Sequence, residues 1–133
     1  MRINIWTIFP EFFEDTLATS ILGRAAEDGL VEYRVVDIRD YALDRHRTVD
    51  DEPFGGGAGM VMKPEPFFEA RDALKPEGPV AMLTPRGAVF NHATAVRFSL
   101  AESSRFCADA TRAWTSGWPR RSRPRSCRSA TTS

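Results

Sequence analysis

Cysteine and histidine are nearly missing from this sequence: two of each in 133 residues, Cys107 and Cys127, His46 and His92. Two cysteines make no disulfide framework, and residues this scattered argue against a protein-held zinc site. No apolar run reaches the length of a membrane span. The first nine residues carry one charge, Arg2, but the stretch is short and ends at Pro10-Glu11, a poor signal peptide and a good first strand. The expectation is a cytoplasmic protein without membrane attachment. Net charge is missing too, since 18 basic residues balance 18 acidic ones. That balance hides two unlike parts. Residues 1–96 carry ten Lys or Arg against sixteen Asp or Glu, whereas residues 97–133 carry eight Arg, no Lys and two acidic residues. Such a shift ordinarily marks a basic nucleic-acid tail behind an acidic domain.

What is present reads as one α/β domain. Ile3-Asn4-Ile5-Trp6-Thr7-Ile8-Phe9 alternates and is rich in β-branched and aromatic residues, so it reads as a strand closed by Pro10. Phe12, Leu17, Ile21 and Leu22 recur at helical spacing, with Gly23 as the expected point of bending and Asp28-Gly29 as the end. Val31 to Ile38 is a second strand. Strand, helix, strand at this spacing is the unit of a parallel sheet. Residues 39–62 then run polar and glycine-rich without strong periodicity. A loop that long argues either against the element assignment or for a functional loop. Pro64 to Leu74 predicts a helix packed through Phe67, Phe68, Ala70 and Leu74. Val80-Ala81-Met82-Leu83 predicts a short strand, ended by a turn at Thr84-Pro85-Arg86-Gly87. Asn91 or His92 opens a further helix through Val96 and Phe98. After Phe98 the periodicity fades into Ser, Thr, Arg and Pro, and residues 99–133 read as a disordered tail.

Two segments offer chemistry. Gly55-Gly56-Gly57-Ala58-Gly59 lets a ligand approach the backbone, but it lacks the Gly-Lys-Ser/Thr end of a phosphate loop and does not match GxGxxG. On composition alone it is equally a linker. Asp44, Arg45, His46, Arg47, Asp50 and Asp51 beside it favour function. Arg45 and Arg47 suit phosphate contacts, and Asp50 or Asp51 suits accepting a proton or a base N–H. Taken singly, each reads more simply as a charged residue on a solvated loop face. The second segment, Leu83 to Gly87, stands at a strand's carboxyl end, where open α/β sheets bind ligands. It reads equally as an ordinary turn.

Asp44-Arg45-His46-Arg47-Thr48-Val49-Asp50-Asp51 followed by Pro53-Phe54-Gly55-Gly56-Gly57-Ala58-Gly59-Met60 resembles the signature of bacterial tRNA (guanine-N1)-methyltransferases. Phe9-Pro10-Glu11-Phe12, Gly23-Arg24-Ala25 and the Thr84-Pro85-Arg86-Gly87 turn fit the same family, and the resemblance covers residues 1 to about 98. It implies a three-layer parallel sheet of the trefoil-knot type, incomplete in this chain, in residues 1–98. It implies S-adenosyl-L-methionine as methyl donor, with magnesium as a family requirement for which no site stands out. It implies tRNA as substrate, methylated at N1 of the guanosine just 3′ of the anticodon, and a homodimer with the active site between subunits. By the same resemblance Met82, Leu83, Thr84, Pro85, Arg86 and Gly87 form a cofactor loop. Arg45, His46, Arg47, Gly55, Gly56, Gly57, Gly59 and Met60 bind substrate, and Asp50 plays a supporting catalytic part. The family's general base lies in a C-terminal tRNA-binding domain, which is expected to be absent here.

The tail carries a second message. The family continues with Leu-Cys-Gly-Arg-Tyr-Glu-Gly-Val-Asp-Glu-Arg-Val. Residues Phe106 to Trp118 admit codons that spell this stretch in full when each is read from its third base. Pro124 to Ser133, shifted the same way, spell Glu-Glu-Leu-Ser-Ile-Gly-Asp-Tyr-Val, a motif of the family's second knot loop. The expectation is therefore a wrong-frame tail whose onset lies between Ser99 and Phe106, on a chain without methyl transfer of its own. The alternative is an RNA-binding module that uses the arginine tail electrostatically and catalyses nothing.

Overall fold

The computed structural model describes residues 1–43, 45–47, 50–51, 61–75, 77–108 and 125–128. Its centre is a parallel sheet. Strand β1 (Arg2–Thr7) pairs on one side with β2 (Glu32–Asp37) and on the other with β6 (Ser103–Cys107). Strand β5 (Val80–Val89) lies beyond β6, and β7 (Arg125–Arg128) beyond β5, giving the order β2-β1-β6-β5-β7. Two short strands, β3 (Asp50–Asp51) and β4 (Val61–Met62), form a separate antiparallel pair, Asp50 opposite Met62. The α/β parallel architecture expected from the strand–helix–strand spacing is the one observed.

Helices cover both faces. On one face α3 (Glu65–Leu74) sets Phe67 and Ala70 against Trp6, Ile8, Val36, Ile38 and Cys107. Phe67 lies 6.4 Å from Trp6, ring centre to ring centre. Burying an aromatic side chain of this kind is worth roughly 2 kcal/mol, so this contact fixes where α3 sits. On the other face α4 (His92–Ser99) buries Phe98 on Ala81, with Phe90 and Phe106 packed around them. Asn91 caps α4, its side-chain oxygen accepting from the Thr94 backbone N–H at 3.0 Å.

The helical region after β1 breaks earlier than expected. It forms α1 (Pro10–Leu17) and α2 (Ser20–Glu27), parted at Ala18-Thr19 rather than bent at Gly23. The hydroxyls of Thr16 and Thr19 donate to the carbonyls of Phe12 and Thr16, at 2.7 and 2.9 Å. Such bonds compete with helix continuation. Gly23 is buried inside α2, where a Cβ would collide with the Ala18 carbonyl.

Three further expectations are corrected. The long polar loop is not structureless throughout: it opens with a 3-10 turn at Ile38–Tyr41 and contains β3 and β4. The Thr84–Gly87 turn does not end its strand. Leu83 and Ala88 both align with Cys127, so the four residues between them leave the ladder and β5 then resumes. Lastly, the periodicity faded too soon as a guide beyond Phe98. Ser103–Cys107 is a middle strand, hydrogen-bonded on both edges, and Arg125–Arg128 is an edge strand. Backbone pairing needs no apolar side chains, and an edge strand accepts arginine readily. Among the described residues no helix is long and apolar enough to cross a membrane.

Candidate functional site

The carboxyl ends of β1 and β2 meet the start of the polar segment. Past β1, Phe9 is half exposed, its backbone N–H donating to Thr7 Oγ1 at 3.1 Å. The Arg39 guanidinium lies 5.8 Å from the centre of the Phe9 ring. Asp37, the last residue of β2, caps the 3-10 turn by accepting the Arg39 N–H at 2.9 Å. The same carboxylate faces Arg47, whose Nη2 lies 3.8 Å from Asp37 Oδ2. Arg47 also donates to Asp40 Oδ1 and, through Nε, to the Arg39 carbonyl at 3.4 Å. Arg45, His46 and Arg47 are all exposed, but Arg47 is bonded on three sides, whereas Arg45 and His46 make no ion pair among the described residues.

The excursion at 84–87 sits farther along the sheet, in β5 between Leu83 and Ala88. These four residues step out of register with β7, and the strand pairs with it again at Ala88 and Val89. Met82 behaves otherwise: it is buried at 6 % exposure, so its side chain belongs to the core and only its backbone stands near this loop.

The sequence-predicted residues therefore separate. Arg45, His46 and Arg47 lie together beyond β2, and Asp50 follows in β3, of which the backbone is described. Met82 and Leu83, with the backbone of Thr84, Pro85, Arg86 and Gly87, lie in β5. Gly55, Gly56, Gly57, Gly59 and Met60 lie outside the described residues. Sequence reasoning missed Asp37, Arg39 and Asp40. Their signal was the alternation of opposite charges directly after a strand, Asp37, Arg39, Asp40, ahead of Arg45 and Arg47.

A groove of about 950 Å³ opens at the opposite end of the sheet, lined by Arg2, Asn4, Glu32, Arg34 and Glu102 among others. It is the amino end of β1 and β2, carries both charge signs, and includes the Arg2–Glu32 ion pair at 3.1 Å. Ligand binding in parallel sheets favours the carboxyl ends, so we place the site there despite the size of this groove.

Beside the site, Cys107 is fully buried and burial pushes its thiol up to about 12, the neighbouring Arg105 opposing the shift. That cysteine is a packing group, not a nucleophile. Burial likewise lowers the Arg105 pKa, with Cys107 raising it and Arg71 lowering it.

The family model described as tRNA (Guanine-1)-methyltransferase TrmD matches residues 1–108. The chain belongs to the tRNA (guanine-1)-methyltransferase family. The match runs through β6, ten residues beyond the resemblance read from the sequence, to a strand that completes the middle of the sheet. Among curated tRNA (guanine-N(1)-)-methyltransferases, that of Dictyoglomus turgidum is 52 % identical over 100 residues, 74 % of this chain and 41 % of the relative. That of Limosilactobacillus fermentum is 43 % identical over 113 residues, 80 % of this chain and 45 % of the relative. The crystal structure of the tRNA (m1G37) methyltransferase from Aquifex aeolicus superposes with a TM-score of 0.71 at 32 % identity, over 80 % of this chain and 50 % of that one. The chain thus spans about half the length, or less, of the family members it matches.

Proposed function

We propose that this chain carries the cofactor-side part of an S-adenosyl-L-methionine-dependent enzyme that methylates N1 of the guanosine just 3′ of the anticodon in tRNA. The observation that carries the reading is the family match over residues 1–108 together with a parallel sheet whose β5 leaves its ladder for four residues between Leu83 and Ala88. Residues 84–87 suit one wall of a cofactor cradle, because they are out of register with β7. The cofactor, when bound, supplies the electrophilic methyl group. The chain's own part is positioning. Arg45 and His46, exposed beyond β2, suit the tRNA backbone, where cations fix register without reading sequence. Asp50, in β3, suits holding the guanine edge, and the family signature assigns Gly55, Gly56, Gly57, Gly59 and Met60 to the same substrate. Guanine N1 carries a proton and is a poor nucleophile, so the complete site needs a carboxylate to take that proton as the methyl moves. A trefoil-knotted homodimer, cytoplasmic and aided by magnesium, belongs to the same reading.

The reading extends to the tail. From Phe106 onward the sequence spells family motifs in another frame, and the chain is proposed to lack the loops those motifs encode. β7 draws residues 125–128 into the sheet, which disfavours a freely reaching basic tail as the alternative function.

The test is methyl incorporation into tRNA bearing guanosine 3′ of the anticodon. The chain as it stands is compared with a frame-restored form joined to the family's downstream sequence, and with that form carrying Asp50→Asn. Guanosine-dependent transfer by the restored form, and at least about tenfold less by Asp50→Asn at equal stability, supports the assignment. Inactivity of the restored form sinks it. Full activity of the unrestored chain sinks the reading of the tail.

A further inference from the structure

We propose that Arg47 is a positioning residue that ties the polar segment leading to Asp50 onto the end of β2, and that it does not itself contact RNA. The proposal rests on the reading of this end of the sheet as RNA-facing, and it divides the basic residues there by task. Arg47 meets Asp40, lies 3.8 Å from Asp37 and donates to the Arg39 carbonyl. Its neighbour Asp37 is the last residue of β2, in register with Thr7 of β1, and also holds the 3-10 turn through the Arg39 N–H. The anchor is therefore attached to the sheet itself. Three residues after Arg47 comes Asp50, in register with Met62.

Two observations separate Arg47 from Arg45. The first is electrostatic. Arg47 with Asp37 and Asp40 sums to a net charge of −1, so an approaching phosphate meets no excess of positive charge. Arg45 and His46, as exposed as Arg47 but without an ion pair among the described residues, keep theirs for a polyanion. The second is conformational. Arg47 has φ +53°, the left-handed region that a non-glycine residue occupies only at a cost. Such a conformation persists where the surroundings hold it, and here the guanidinium's three partners do so.

The experiment uses the whole chain and four variants: Arg45→Ala, Arg47→Ala, Arg47→Lys and the charge swap Asp40→Arg with Arg47→Asp. Amide hydrogen exchange reports on Asp50 and Asp51, and tRNA binding is measured across a series of salt concentrations. Arg47→Ala should speed exchange at Asp50 and Asp51 by roughly tenfold or more, with exchange in β1 and β6 unchanged. Arg47→Lys, which cannot reach three partners with one planar group, should recover little, and the swap should recover part. In tRNA binding, Arg45→Ala should reduce the salt slope by about one, whereas Arg47→Ala should weaken binding without changing the slope. A slope reduced by Arg47→Ala, or unchanged exchange at Asp50 and Asp51, overturns the proposal. Where the unaltered chain binds no tRNA, the salt series is run in the frame-restored form; absence of binding there overturns the RNA-facing reading, and exchange decides by itself whether Arg47 holds the segment.

Discussion

The guanidinium carbon of Arg105 stands 4.6 Å from the centre of the Trp6 ring, between two neighbouring strands in the middle of the sheet. Trp6 is 1 % exposed and Arg105 6 % exposed. A desolvated cation over an indole is worth about 2 kcal/mol, and the arginine stem adds apolar contact. Arg105→Ala is therefore expected to lower unfolding stability by about 2 kcal/mol, and Arg105→Met, which keeps an unbranched stem, by less. Urea titration of the three chains checks the order. An alanine variant as stable as its parent would show that the stack contributes nothing.

Gly78 has φ +88°, and a Cβ on it would run into the carbonyl oxygen of Ser103. Backbone and neighbour both forbid a side chain, and β6 begins at Ser103. Gly78→Ala should cost roughly 2–4 kcal/mol, with β6 amides losing protection first. Retained stability together with unchanged β6 exchange would refute the close approach.

The cap of α4 gives a smaller and cleaner effect. Asn91→Ala removes the acceptor for the Thr94 N–H and should cost about 1 kcal/mol, while Asn91→Asp keeps it. Equal midpoints for all three chains in thermal unfolding would contradict the capping assignment.

Cys107 makes stability depend on alkaline pH. Its folded-state pKa is raised from the ordinary 9.0 to about 12, chiefly by burial. An unfolded chain loses this thiol proton near pH 9 while the folded chain keeps it. The stabilising effect is therefore complete below about pH 9 and disappears as pH rises towards 12. In a Cys127→Ser background, the parent should lose stability across that window faster than Cys107→Ala does. The folded parent should also resist thiol reagents near pH 8. Rapid labelling of Cys107 under native conditions would count against its burial.

The parts of the fold legible in the sequence were those where side-chain pattern and backbone agree. β1 alternates, α3 repeats Phe67, Ala70 and Leu74 at helical spacing, and Asn91 stands where a helix needs a cap. β6 was not legible because Ser103-Ser104-Arg105-Phe106-Cys107 has little of a buried strand's composition. Its place is set by pairing on both edges and by the stack on Trp6, neither of which local sequence encodes. Thr84–Gly87 was legible as an interruption but not as an excursion, since only the partner strand reveals that Leu83 and Ala88 align with one residue. At the site, the charged run around Arg45–Asp50 was visible. The division between Arg47, held by Asp37 and Asp40, and the exposed Arg45 needed three dimensions.

The order of strands has a consequence for synthesis. β1 is the first strand made, yet its partner on one side, β6, begins about a hundred residues later at Ser103. While the chain emerges from the ribosome, β1 can pair with β2 but not with β6, and β5 likewise waits for its neighbour. Until Cys107 has been added, two rows of backbone donors and acceptors stand open at the heart of the future sheet. Long-range parallel pairing of this kind is slow to form, and an open edge recruits other chains. A translational stall that keeps β6 inside the ribosome should therefore leave a nascent chain that engages holding chaperones, and a stall late enough for β6 to emerge, a chain that engages them less.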